Sequence, residues 1–376
     1  MIRTYQIYLN GDCNLRCKYC YEHNKNRGVN NRISVLSFVK AIIKEVTNSG
    51  NSEPFKDVVI DFIGGEPFLH VSLLREAIEL IISECVKHKI VSLPEFTIST
   101  NGTLFDQEDV RDFIETYGRY LTIGISIDGT KECHDKNRID VKGQGSWDKA
   151  IEGWKYLQKH VCINKLQVKA TFNHDNIMQY AESVIALIRL GFRHISANTV
   201  YEEQWTMEDS VIIYDQLMFI SRYMQKHNLM DKVIFDHINR KGMDFKSLSI
   251  GATRDKNHCG SCEYMRALGF DNKIYGCHRF ACADLHPIGY LDTENDEIVI
   301  TNNAFIEEVC HHHDDNPEEC KNCAFLTICG TCAALPYELG ITPKEWFSKK
   351  PQCGFTNAVG WAICHTMIDL GMANTE

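Results

Sequence analysis

The sequence predicts an α/β protein: a partial (β/α)6 barrel of the TIM type, followed by a cysteine-rich extension. Three observations carry that expectation. Short β-rich runs alternate with amphipathic helical patterns as far as about residue 235, polar or glycine-rich punctuation follows each run, and cysteine density rises sharply beyond them.

The β-rich runs cover 4–9, 58–63, 95–100, 121–127, 166–172 and 194–200. Between them lie stretches such as 72–88, where Leu74, Ile78, Ile81, Ile82 and Cys85 share one face at helical spacing. Six strand-helix units imply a parallel sheet with right-handed crossovers, and six rather than eight leaves a side open to a bulky substrate. At 376 residues the chain exceeds what one core usually organises. We therefore expect a barrel at 1–235, a connector at 236–258 and a cysteine-rich domain at 259–376, closed by a helix at 357–370. No apolar run is long enough to span a membrane and no signal sequence opens the chain, so a cytoplasmic location is expected, with no membrane partner. A formal net charge of -10 disfavours nucleic acid and mildly favours neutral or basic peptides. Seventeen cysteines in such a chain suggest metal ligation under reducing conditions rather than disulfides.

The first run delivers Cys13-Asn14-Leu15-Arg16-Cys17-Lys18-Tyr19-Cys20. Three thiolates cannot complete a four-iron cluster, and on one they leave an iron open for an exogenous ligand. A zinc knuckle or free thiols remain the alternative. The other strand ends carry Gly64-Gly65-Glu66-Pro67, Asn101-Gly102, Ser126-Ile127-Asp128-Gly129, Asn173, and Ser196 with Asn198. Six polar ends on one rim mark a site. The tail reads Cys259-x2-Cys262-x14-Cys277, then Cys320-x2-Cys323-x5-Cys329-x2-Cys332, and Cys353, which makes two sets of four. Zinc or iron-sulfur clusters satisfy that arithmetic equally. Of the other cysteines, Cys85 and Cys364 fall on helical patterns and read as core, and Cys282 and Cys310 read as small buried thiols near candidate ligands. His311, His312 and His313 sit among acidic residues and read as a solvated turn.

The trio, with an aromatic before its last cysteine, resembles the signature of the radical S-adenosylmethionine (SAM) enzymes, and the tail resembles the SPASM extension of peptide-modifying members. That resemblance covers nearly the whole chain. It implies a 4Fe-4S cluster on Cys13, Cys17 and Cys20 whose open iron takes SAM, and two auxiliary 4Fe-4S clusters. Cys259, Cys262, Cys277 and Cys332 would hold the first, and Cys320, Cys323, Cys329 and Cys353 the second. Two departures weaken Cys332 most: the usual three-residue gap before it is two, and the glycine expected five residues before Cys277 is Asn272. The resemblance also implies that Gly64, Gly65, Glu66 and Pro67 meet the SAM amino group, that Ser126 meets its ribose or methionine portion and that Arg138 pairs with its carboxylate. Tyr19, Asn101, Asp128 and Asn198 complete the expected cofactor set.

The chemistry implied is release of a 5'-deoxyadenosyl radical that takes hydrogen from an unactivated carbon, with the auxiliary clusters removing the surplus electron. The favoured function is a maturase that installs a thioether, carbon-carbon or ether crosslink in a ribosomally made precursor peptide. The runner-up is an anaerobic sulfatase maturase forming formylglycine, a class that usually has an aspartate after the third cysteine of the first auxiliary set. His278 stands there instead and is the candidate base. Because the first run begins within ten residues of the start, a leader-recognition domain is not expected ahead of the barrel. A separate leader-binding protein and an electron donor such as flavodoxin or ferredoxin are the expected partners. A nonenzymatic, zinc-stabilised binding module is the alternative from another class.

Overall fold

Residues 3–23, 25, 27–48, 53–239 and 259–371 of the computed structural model are described. Most of the expected connector lies outside them. Six parallel strands follow one another in chain order: β1 (Arg3–Asn10), β2 (Val58–Gly64), β3 (Glu95–Thr100), β4 (Leu121–Ser126), β5 (Leu166–Phe172) and β6 (His194–Thr199). Helices Arg32–Asn48, Val71–Lys87, Glu108–Tyr117, Trp147–His160 and Tyr180–Arg189 connect them, and helix Met207–Lys226 follows β6. The short β7 (Ile234–Phe235) adds to β6 in parallel. No ladder closes the sheet among the described residues.

The cysteine-rich tail continues this sheet. Its first strand, β8 (Met265–Leu268), pairs in parallel with the other edge of β1, and β9 (Lys273–Tyr275), β10 (Gly289–Asp292) and β11 (Glu297–Ile300) follow antiparallel. Asn30 fastens the junction, donating from Nδ2 to the carbonyls of Tyr8 at 2.8 Å and Gly269 at 3.0 Å.

Strands in a sheet alternate faces, and here the alternation sorts polarity. Ile7, Ile60, Phe62, Ile98, Ile123, Ile125, Val168 and Ile195 are buried in the core shared with the helices. The alternate positions carry Gln6, Asp61, Thr97, Ser99, Gly124, Lys169 and Ser196. A parallel sheet covered on both faces reads as a continuous apolar run, so this polar inner face is built to meet water or a polar substrate.

The tail's last helix, Cys353–Asp369, lies along helix Met207–Lys226, with Ser221 Oγ and Thr366 Oγ1 2.7 Å apart and Tyr214 OH 2.6 Å from His365 Nδ1. Helix Met207–Lys226 starts from a capping box between Thr206 and Asp209. Gly354 N donates to Trp205 O at 2.8 Å, and a Cβ at Gly354 would stand 1.7 Å from Thr206 O. Only glycine lets this helix seat there. Gly354→Ala is predicted to cost about 1–3 kcal/mol through overpacking, read as a lower midpoint of thermal unfolding; an unchanged midpoint would mean that the contact is not made.

Candidate active site

β1 ends at Asn10, and the loop beyond it carries Cys13, Cys17 and Cys20, all partly exposed. Backbone bonds pin this loop to the segment after β4, from Arg16 N to Ile139 O at 2.6 Å and from Lys18 N to Asn137 O at 3.0 Å. Side chains pin it to the end of β3: Asn101 Nδ2 donates to Asn14 Oδ1 at 2.8 Å, and Asn14 Nδ2 donates to Thr103 Oγ1 at 2.8 Å. Asn101 therefore acts as a bracket, its amide also 3.9 Å from the Cys13 sulfur. Burial, with Glu66 nearby, pushes the Cys13 thiol up to about 11, and burial raises Cys17 as well. Thiols in this setting ionise when a metal centre takes up the charge, so the donor set fits a cluster iron.

The Gly64-Gly65-Glu66-Pro67 turn is braced against the same loop. Gly65 N donates to Asn10 O and Glu66 N to Asp12 O, each at 2.9 Å. Gly64 has a φ of +148°, and a Cβ on Gly65 would lie 2.2 Å from Asp12 O. The Glu66 carboxylate is wholly internal, accepting from Thr100 Oγ1 at 2.7 Å, Asn101 N at 2.7 Å and Phe68 N at 3.3 Å. Burial pushes its carboxyl up to about 7 against those three donors. Its role is to shape the turn, and Pro67 opens the short helical turn that follows.

Beyond β4, Thr130 caps helix Lys131–Asn137, which delivers Arg138 at its end. Arg138 Nε donates to Asp128 Oδ2 at 3.0 Å and the guanidinium lies 5.4 Å from the Tyr19 ring centroid. Tyr19 OH donates to Asp128 Oδ2, and Thr171 N to Asp128 Oδ1 at 2.9 Å. Burial raises the Asp128 carboxyl, while Arg138, Tyr19 and Thr171 favour its ionised form. Among the described residues Asp128 is the one carboxylate paired with Arg138, whose Nη groups are left for a second acceptor. Ser126, at the end of β4, stands in register with Lys169. Asn198 donates from Nδ2 to Ser196 Oγ at 3.3 Å and lines a cleft with Ser196, Asp236, His237, Thr327 and Gln352.

In the tail, Cys320, Cys323, Cys329 and Cys353 line one cavity together with Phe325, Leu326 and Phe347. Thr356 Oγ1 donates to Cys329 Sγ at 3.7 Å. The other set is grouped too: Cys259 with Cys332 and Cys277, and Cys277 with Cys262, lie close enough to add to the rise in pKa that burial causes first. A Cβ on Gly276 would stand 2.1 Å from Cys262 Sγ. Cys332, the weakest assignment in the sequence, thus lies among its expected partners. Among the described residues no three His, Cys, Asp or Glu side chains converge on a single ion. Cys85, Cys133 and Cys282 are buried, and Cys364 and Cys310 partly so. His312 corrects the solvated-turn reading: it is buried, Nε2 2.9 Å from Tyr337 OH, because it packs between Tyr337 and Phe347.

His278 lies where the tail meets the inner face. Gln6 Oε1 accepts from His278 N at 2.7 Å, which turns Gln6 Nε2 toward Asp61 Oδ2 and His278 Nδ1, each at 3.1 Å. An amide N–H facing Nδ1 makes Nδ1 the acceptor, so the neutral imidazole carries its proton on Nε2. Burial, with Lys169 and Arg279 adding and Asp61 opposing, lowers His278 to about 4 and keeps it neutral at neutral pH. The ring therefore presents an N–H donor. Arg279 beside it makes a bidentate pair with Glu338 at 2.7 and 2.8 Å and also meets Glu202, tying the loop after β6 to the tail. Gln6, Asp61, Lys169, Arg279 and Asn10 were missed from the sequence. For Gln6, Asp61, Lys169 and Asn10 a charged or amide residue on a parallel strand was the available signal.

Residues 7–171 match the family model described as the Radical SAM superfamily. This stretch is a radical SAM domain. The domain implies one 4Fe-4S cluster and SAM, and the three-cysteine loop fits that demand. The whole chain is similar to the cysteine-type anaerobic sulfatase-maturating enzyme of Clostridium novyi, 26% identical over 341 residues, covering 85% of this chain and 84% of the relative. It is also similar to the serine-type enzyme of Klebsiella aerogenes, 24% identical over 335 residues, covering 86% and 77%. Among solved structures, anSMEcpe with bound AdoMet superposes with a TM-score of 0.71 at 18% identity, covering 100% of this chain and 97% of that one. Streptococcus suis SuiB bound to precursor peptide SuiA gives 0.56 at 16%, covering 92% and 74%. These likenesses establish a mixed α/β radical SAM fold. Among the described residues no helix is long and apolar enough to cross a membrane.

For the radical SAM domain, Cys13→Ala, Cys17→Ala and Cys20→Ala are each predicted to abolish cleavage of SAM to 5'-deoxyadenosine. Ordinary cleavage by any of the three, measured by chromatography, would refute the assignment.

Proposed function

We propose that this chain is an oxidative peptide maturase that takes a hydrogen atom from a ribosomally made precursor peptide and leaves a thioether, carbon-carbon or ether crosslink. One observation carries the reading: an open, polar inner face runs beside the three-cysteine loop and meets the tail at His278, which follows Cys277. When bound, the cluster and SAM supply a 5'-deoxyadenosyl radical, and two further 4Fe-4S clusters in the tail would accept the second electron of the oxidation. The chain's own residues do the holding. Arg138 offers its Nη groups to the SAM carboxylate, and the turn at Gly64 and Gly65 brings backbone close to the amino group. His278 Nε2–H and the amides and hydroxyls of the inner face suit the carbonyls of a peptide.

The second reading is formylglycine formation on a sulfatase, favoured by the sulfatase-maturating relatives. The orientation of His278 weighs against it, because the residue in the place of the usual aspartate presents a donor rather than a base. An electron donor of the flavodoxin or ferredoxin type and a separate leader-binding protein are the partners this reading calls for.

Two results test it. Protein reconstituted without oxygen should bind about twelve irons per chain, the sum of three four-iron clusters, with matching sulfide; zinc without iron would end the reading. Mass spectrometry of a modified precursor peptide should show loss of hydrogen with no aldehyde trapped by a hydrazine, whereas a trapped aldehyde would establish formylglycine. If His278 acts as a donor, His278→Gln should keep product formation within about tenfold and His278→Ala should lose more than that. Equal abolition by both would restore the base.

A further inference from the structure

The inner face holds one cation that no described carboxylate neutralises. Lys169 stands in the middle of β5, between Ser126 of β4 and Ser196 of β6 in register. Its side chain crosses β4 and ends at Ser99 Oγ of β3, 2.8 Å away. Gly124 lies under that crossing: a Cβ there would stand 3.0 Å from Lys169 Cε and 3.4 Å from Cδ. The strand has therefore given up a side chain to let the lysine reach the centre of the face. The nearby carboxylates are taken, Asp61 by Gln6 and by Thr97 at 2.6 Å, and Asp236 by His194 at 3.1 Å. Lys169 thus keeps ammonium protons for a further acceptor, and the Nε2–H of His278 is a second donor on the same face.

We propose that Lys169 recognises a carboxylate of the substrate, so that the peptide taken up carries an acidic side chain, or its terminal carboxylate, close to the residue that is modified. The inference rests on the peptide-substrate reading and goes beyond it by naming the substrate's chemistry. A cation with one neutral hydroxyl partner gains most from an anionic acceptor, and a charge-assisted bond inside a partly enclosed barrel strengthens as water is displaced. Asp61 and Asp236, already hydrogen-bonded, would repel that anion from the rest of the face and fix its register.

The test uses the reconstituted holoenzyme with SAM and no reductant, and fluorescence anisotropy of labelled peptides. The probes are neutral cysteine-containing peptides in which one Glu is moved along the chain, each with a Gln twin, plus one pair with free and amidated C-termini. One register, or the free C-terminus, should bind about tenfold or more tightly than its neutral twin, the scale of one bond to a charged group. Lys169→Met should equalise the twins, Lys169→Arg should retain the preference, and Lys169→Glu should reverse it toward Lys-bearing peptides. A preference that survives in Lys169→Met would overturn the proposal, as would no preference in any register. If Lys169→Met weakens SAM binding by as much as it weakens the acidic peptide, Lys169 is a cofactor contact and the proposal falls. Failure of every peptide to bind wild-type protein would instead refute the peptide reading, and this inference with it.

Discussion

The side-chain amide of Asn10 holds together the two halves of the radical site. It is fully buried at the end of β1, and its Nδ2 donates at once to Asp12 O at 3.1 Å, on the cysteine loop, and to Glu66 O at 3.0 Å, on the glycine turn. One rigid group thereby fixes the spacing between the loop that would carry the cluster and the turn that would meet the cofactor. Glu66 extends the brace to Thr100 and Asn101, and Asn101 returns it to Asn14 and the Cys13 sulfur. The network closes on itself, so a shift at the end of β1, β2 or β3 would be felt at Cys13. Positioning of this kind is what a reaction between a radical and one chosen hydrogen requires.

A second constraint is the division of the sheet into an apolar and a polar face. The apolar face supplies the core, and the polar face is left without the packing that fills an ordinary barrel. Its polar groups are arranged in local pairs across strands, Gln6 with Asp61, Asp61 with Thr97, and Ser99 with Lys169. Such pairing keeps the interior hydrogen-bonded before a ligand arrives, and a polar ligand would exchange partners with it rather than bury bare polar groups.

The tail does more than carry cysteines. By adding β8 to the free edge of β1 it places His278 over Gln6, and through the Arg279 pair with Glu338 and Glu202 it is locked to the loop after β6. Helix Cys353–Asp369, whose first residue is a cavity-lining cysteine, is packed against the last helix of the barrel. The cysteine sets are thus held in a fixed position relative to the inner face.

Local chemistry was legible from residues alone. The strands at 95–100 and 166–172 coincide with the observed ones because β-branched and aromatic residues there alternate cleanly between turn signals, and the expected helix at 72–88 differs from Val71–Lys87 by one residue at each end. The three-cysteine loop was likewise legible, since its spacing is a local property. What tertiary structure alone decided is nonlocal. The joining of β8 to β1 depends on a four-residue pairing across most of the chain, the proton position on His278 depends on Gln6 from the opposite end, and the burial of His312 depends on Tyr337 and Phe347. The reach of Lys169 to Ser99 depends on Gly124 of the intervening strand. Residue type and spacing determined which chemistry this protein carries; the register of strands far apart in sequence decided which groups face one another, because hydrogen bonds and charges act at a few ångströms and sequence separation says nothing of that distance.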